Sequence, residues 1–141
     1  MEQELLFSNL TGAIRDSARH VYPELGSGFL EKVYENALAV ELEQRNIDFE
    51  QQKPVTVSYR GRVVGEYIAD MLIGKKVIVE LKAARTIEDV HFAQLFNYLK
   101  ATGYEVGLLI NFGPQFAFKR RIYNKSVSSV SSVVNSEVGD G

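Results

Sequence analysis

The chain of 141 residues has no cysteine and only two histidines. Disulfides, zinc–thiolate sites and cysteine nucleophiles are thereby excluded, and two histidines are too few to suggest a zinc centre. No apolar run reaches the roughly 18 residues that a membrane-spanning helix needs. The N-terminal stretch MEQELLFSNL is acidic and lacks a basic segment followed by an apolar block. No secretory signal is expected, and the chain reads as cytoplasmic with no membrane partner. A basic surplus is missing too. The formal net charge of −2 does not advertise a nucleic-acid binder, although the distribution of charge matters more than its sum. GxxxxGK[ST], GxGxxG after a strand, HExxH and GxSxG are all absent, which removes the commonest phosphate-loop, dinucleotide, zinc-protease and serine-hydrolase readings.

With 45% hydrophobic and 24% charged residues, the remaining composition suits one globular domain with a real core. From Asn124 the chain turns to NKSVSSVSSVVNSEVGDG, which has no aromatic anchor. The expected organisation is a single domain over residues 1–123 and a weakly ordered Ser/Val-rich tail over residues 124–141.

Periodicity orders the elements. Leu6, Leu10, Ile14, Ala18 and Val21 recur at helical spacing over residues 3–22, and Pro23 with Gly26-Ser27-Gly28 should end that helix. A second helix is expected from Phe29 to Arg45, with Leu30, Val33, Tyr34, Ala37, Leu38 and Leu42 as its apolar stripe and Asn46 as its stop. Pro54–Tyr59 alternates as a strand and turns at Arg60-Gly61. A third helix spans Ile87–Thr102 before Gly103. It is apolar almost all round, which predicts deep burial. Tyr104–Phe112 reads as a buried strand, and Phe116–Tyr123 as an edge strand after Gly113-Pro114. The fold class that follows is α/β, more narrowly α+β with a mixed sheet. Its 76–112 passage is a strand–helix–strand crossover joining parallel strands.

The stretch VVGEYIADMLIGKKVIVELK, residues 63–82, carries the chemistry. It reads as a hairpin with a three-residue turn centred on Lys75. Alternation puts Tyr67, Ala69, Met71 and Ile73 on one side of the first strand, and Val77, Val79 and Leu81 on one side of the second. In that register Asp70 faces Glu80, and Lys82 projects from the same face about 6.6 Å further on. Strand interiors disfavour Asp, and unpaired buried charge is costly. A divalent cation such as Mg²⁺, which takes oxygen ligands and keeps several waters, would explain two carboxylates there. Lys82 would then orient a water or offset transition-state charge. A cross-strand salt bridge on a solvated face accounts for the same spacing.

Other candidates are weaker alone. Glu31 lies within the apolar stripe of the second helix, so it is either a further ligand over the sheet or a first-turn carboxylate favoured by the helix dipole. Glu41, also in the stripe, suggests a structural hydrogen bond or a salt bridge. Gln94 shares a face with His91 and Tyr98, and suits either a water or phosphate contact or a backbone hydrogen bond. His91 near a helix start reads as incidental rather than as a general base. Lys119-Arg120-Arg121 suits either phosphate contact or a charged edge strand.

Taken in order, these segments resemble the PD-(D/E)XK nuclease superfamily. Gly28-Phe29-Leu30-Glu31-Lys32-Val33-Tyr34 is similar to the signature of its GxxExxY family. The likeness continues through Tyr34–Leu38, Ala69-Asp70, Val79-Glu80-Leu81-Lys82, Gln94–Leu99 and Gly107–Gly113, nearly the whole chain outside the tail. The resemblance implies a restriction-endonuclease-like αβββαβ core with helices flanking a mixed sheet. It implies Mg²⁺, with Mn²⁺ as a substitute, on Asp70, Glu80 and the Leu81 carbonyl. Lys82 would serve the attacking water, with Glu31 and Gln94 completing the site and Glu31 as a further metal ligand. Ala69 stands where the superfamily name has proline, a position that is not a ligand. The expected function is a Mg²⁺-dependent nuclease whose partner is nucleic acid, DNA first. The alternative is a non-catalytic nucleic-acid- or protein-binding module that keeps the fold. Small size and slight negative charge also fit a homodimer or a larger complex that supplies DNA contacts.

Overall fold

The computed structural model describes residues 7–124. Helix α1 spans Ser8–Leu25 and α2 spans Glu31–Gln44. Strands β1 (Phe49–Tyr59), β2 (Arg62–Ile73) and β3 (Val77–Lys82) follow, then α3 (Asp89–Thr102), β4 (Val106–Phe112) and β5 (Phe116–Ile122). One five-stranded sheet has the order β1-β2-β3-β4-β5. β3 and β4 run parallel across the α3 crossover, and the other neighbours are antiparallel. This is the mixed α+β architecture expected from periodicity, with β5 added as an edge. Leu6 and residues 125–141 of the expected tail lie outside the described residues.

The sheet separates two clusters. Ile14, Ala18 and Val21 of α1 and Tyr34, Leu38 and Leu42 of α2 pack on Met71, Ile73, Val77, Val79 and Leu81. On the other side, Leu95, Tyr98 and Leu99 of α3 pack on Leu72, Ile78 and Leu109. The β2–β3 turn is as expected: Lys75 stands at its centre with φ 60°, and Ile73 pairs with Val77.

Four expectations need correction. Helix α1 does not end at Pro23 but runs through it to Leu25. In a last turn, proline removes only one ladder donor, and the Gly26 N–H still closes on the Tyr22 carbonyl at 2.7 Å. Helix α2 begins two residues late, so Leu30 and Val33 are exposed rather than part of the core stripe. Helix α3 is not buried all round: Val90 and Phe96 face outward and only Leu95, Tyr98 and Leu99 are buried. The fourth concerns β2. Strict alternation puts Tyr67, Ala69, Met71 and Ile73 on one face, yet Met71 and Ile73 join the α1/α2 cluster while Ala69 joins the α3 cluster. Tyr67 likewise meets Tyr98 on the α3 side, at 5.7 Å between ring centroids. The strand turns over at Asp70. Across from it in β1, between the pairs Gln51–Met71 and Lys53–Ala69, Gln52 sits at φ 56°, a left-handed backbone that breaks the pleat.

Two buried side chains hold the loops at the sheet's end. The Tyr34 hydroxyl donates to the Gly26 carbonyl and accepts from the Phe29 N–H, while its ring stacks on Phe112 at 4.7 Å. Gly28 between them has φ 115°, where a Cβ would be strained. Asn111 at the end of β4 brackets Ala84: its Oδ1 accepts from the Ala84 N–H and its Nδ2 donates to the Ala84 carbonyl, both at 2.9 Å. This fixes the chain just after Lys82. Gly113 passes so close that a Cβ would overlap the Ala84 carbonyl oxygen. Gly113→Ala is therefore expected to lower stability by about 3 kcal/mol. The urea midpoint should fall with an unchanged slope.

Candidate active site

The site begins where β2 and β3 part. Their paired register reaches Met71–Val79 and, one step on, sets Asp70 across from Glu80. There the side chains take over from the backbone ladder. The Asp70 N–H donates to Glu80 Oε2 at 3.0 Å, and the Leu81 N–H donates to Asp70 Oδ2 at 2.7 Å. Each carboxylate thus bonds the opposite strand and holds its partner in place. Meanwhile β3 stays paired with β4 up to Lys82–Asn111, so the far side of the split is rigid.

This placement is costly for charge. Glu80 is only 6% exposed. Burial first, and the neighbouring Asp70 next, push its carboxyl up to about 8. Asp70 is also raised, chiefly by burial and then by Glu35 and Glu31, while the Leu81 N–H and Lys82 oppose the rise. Lys82, half-buried, lowers both carboxyls electrostatically. No ion pair within 4 Å joins it to either carboxylate among the described residues, so the bland cross-strand salt bridge is not formed.

The remaining candidates fall unevenly. Glu31 opens α2 and is exposed, not buried in the stripe as expected, because the helix starts at Glu31 itself. It still acts at a distance, raising both Asp70 and Glu80. Gln94 is exposed on α3 and hydrogen-bonds Tyr98, whose hydroxyl is pushed up to about 12 by burial, then by Glu80 and Asp70. His91 caps its helix: its Nδ1 accepts from the Glu88 N–H at 3.0 Å. Glu41 pairs with Arg45 at 3.9 Å. In the basic run, Arg121 stacks 4.3 Å over Phe92.

The residue missed from sequence is Glu35. It is 3% exposed and accepts from Gln51 Nε2 at 2.7 Å, Gln52 Nε2 at 2.9 Å and Lys32 Nζ at 3.2 Å. It thereby holds the left-handed Gln52, directly across from Asp70, and its charge outranks that of Glu31 in raising Asp70. A polar run, Glu50-Gln51-Gln52-Lys53, hid the first half of β1. The signal available was Glu35 one residue beyond Tyr34, on the buried side of α2. Glu35→Ala is expected to cost about 2–3 kcal/mol, because two amides and an ammonium lose a charged partner. Thermal and urea unfolding of the full chain would measure it.

The donor set suits a hard divalent cation. No group of three His, Asp or Glu side chains among the described residues could close around an ion on side chains alone. Two carboxylates and a backbone carbonyl are nonetheless enough for Mg²⁺, which retains waters. A cation would also relieve what the protein alone does not: two crowded carboxyls, both raised, with Lys82 as a partial counter-charge.

Comparison with known proteins agrees with the fold. Five solved chains match, and two of them illustrate the shared fold. One is an alkaline exonuclease (LHK-Exo) from Laribacter hongkongensis, with a TM-score of 0.51 at 11% identity, covering 77% of this chain and 64% of that one. The chain thus spans under two thirds of the exonuclease's length. The other is the protein SSO0001, with a TM-score of 0.52 at 18% identity, covering 96% of this chain and 69% of that one. At such identities the likeness is one of fold. No curated protein sequence matches the chain at a significant level. The family model of the PD-(D/E)XK nuclease superfamily matches residues 8–123, a span that contains both parted strands and every candidate residue from Glu31 to Gln94. The chain belongs to the PD-(D/E)XK nuclease superfamily.

Proposed function

We propose that the chain hydrolyses phosphodiester bonds in nucleic acid, DNA first, with Mg²⁺ or Mn²⁺ as cofactor. One observation carries the reading: Asp70 and Glu80 lock into each other's strands where β2 and β3 part, with Lys82 two residues on. Asp70, Glu80 and the Leu81 carbonyl would hold the metal. When bound, it would supply a water of lowered pKa and neutralise charge on the phosphoryl oxygen.

The chain's own groups do the rest. Asp70 and Glu80 are preorganised, since each is already fixed by a backbone N–H. Lys82, free of a competing ion pair among the described residues, orients the attacking water and offsets negative charge on the phosphorane. Gln94 and Glu31 border the site, and their role is to position water or phosphate. Exposure of Glu31 suits a residue that meets substrate or solvent rather than one that seals a core. Gly28, Glu31 and Tyr34 support a finer placement in the GxxExxY family. The glycine takes a backbone that other residues avoid, and the tyrosine pins the loop that leads into α2. Within this proposal the chain is one domain through residue 123, and it works as a homodimer when DNA demands a wider footprint.

The test titrates Mg²⁺ and Mn²⁺ into the wild type and into Glu80→Ala, then assays DNA and RNA cleavage. Metal binding lost in the variant, with metal-dependent cleavage by the wild type, is the expected result. Nucleic acid bound but never cut would instead make the chain the non-catalytic module. Sedimentation of the same samples reads the homodimer.

A further inference from the structure

The paired strands β1 and β2 extend well past the end of β3 as a two-stranded arm. Between this arm and α3 lies a cleft of about 280 Å³. Val57 and Tyr67 line it from the arm; Val90, Gln94, Asn97 and Tyr98 line it from the helix. Tyr67 stands half-exposed, with its ring inclined 51° to that of Tyr98. Gln94 and Asn97 are both exposed; Gln94 already bonds Tyr98, and the Asn97 amide retains donors and an acceptor for a ligand. Among the described residues, no charged side chain lines the cleft.

Tyr98 makes this cleft a neighbour of the carboxylates. It packs in one cluster with Ala69, the residue before Asp70, and its hydroxyl feels the charges of Glu80 and Asp70. The turnover of β2 at Asp70 is what brings Tyr67 to this side. An uncharged cleft with a π-face, apolar walls and two amides does not suit a phosphate. It suits a planar heterocycle that stacks and hydrogen-bonds along its edge. A base inside a duplex is stacked on both faces and out of reach.

We propose that this cleft binds the base of an unpaired nucleotide adjoining the phosphate held at Asp70 and Glu80, which makes single-stranded nucleic acid the substrate class. Tyr67 stacks on the base, Val57 and Val90 cover its edges, and Asn97 reads its polar rim. The proposal rests on the nuclease reading, and its test separates the two.

Binding is measured by fluorescence anisotropy on full-length Glu80→Gln without divalent cation, a variant whose cleavage is expected to be strongly reduced. The probes are a labelled single-stranded oligothymidylate and a strand of equal length built from a stable abasic analogue. The abasic strand is expected to bind about five- to hundredfold more weakly. Tyr67→Leu, made in that background, should bring the oligothymidylate down to the abasic level, whereas Tyr67→Phe should keep the difference. In a second arm the wild type with Mn²⁺ is given an abasic strand bearing one thymine, and its cuts should cluster at the phosphate beside that base. Equal binding of the two strands, binding of neither, or a Tyr67→Leu variant indistinguishable from its parent would overturn the pocket. Cleavage without preference for the lone base would overturn it too, and would leave the nuclease reading intact. Base-dependent binding with no cleavage of any strand would support the pocket and sink the nuclease reading.

Discussion

Asp70→Asn, Glu80→Gln and Lys82→Ala should each reduce metal-dependent cleavage of DNA by at least about 10²–10³-fold, while circular dichroism and the folded baseline stay unchanged. The expected loss is large because the three residues act as one unit. Asp70→Asn keeps an oxygen to accept from the Leu81 N–H, and Glu80→Gln keeps one for the Asp70 N–H, so both strands remain latched. What disappears is anionic charge, the property a divalent cation needs. Lys82→Ala removes no hydrogen bond among the described residues, and its effect on the fold should be small. Double variants should be scarcely worse than the worst single one, since removing one member of a cooperating site already forfeits most of its benefit. Full activity in any of the three single variants would refute the assignment. A loss shared equally by the exposed control Lys100→Ala would point to general damage instead.

How much of this was legible beforehand depended on which interactions were local. The order of elements followed from apolar spacing alone, because a buried face must repeat with the period of its element. The facing of Asp70 and Glu80 followed from a short turn, Gly74-Lys75-Lys76, which leaves little freedom of register. The failures share another cause. Helix α3 looked fully apolar in sequence, but only one of its faces meets the sheet, on β1, β3 and β4, and Val90 was left on the surface. Glu31 and Glu35 sit four residues apart on one helix face. Composition could not say which of them the sheet would cover; the start of α2 at Glu31 decided it, by putting Glu35 over Gln51 and Gln52. The turnover of β2 was the least visible feature, since Gln52 has no glycine-like signature for its left-handed backbone. Yet it moves Tyr67 from the α1/α2 side to the α3 side, and so builds the cleft beside the carboxylates.

The second large effect concerns pH and stability. Without metal, the folded protein holds Glu80 protonated up to about 8, against 4.5 for the unconstrained side chain. Between these values the folded chain binds more protons than the unfolded chain, so stability must fall as pH rises through that window. The stabilisation is complete below about 4.5 and gone above about 8. Integrated over the window it amounts to a few kcal/mol, with Asp70 and Glu80 titrating as a pair. The melting temperature of the metal-free chain is therefore expected to drop by several degrees between pH 5 and pH 9, a window set by the Glu80 shift. Glu80→Gln, with no proton to lose, should flatten the profile and exceed the wild type at high pH. Mg²⁺ should act in the opposite sense. It competes with the proton for the same oxygens, so its stabilising effect should be greater at pH 8 than at pH 6, and its binding should release protons to buffer. A wild-type profile as flat as that of Glu80→Gln would mean that Glu80 is ionised in the free protein. The split between β2 and β3 would then be stable with both charges in place, and the electrostatic case for a cation there would be lost.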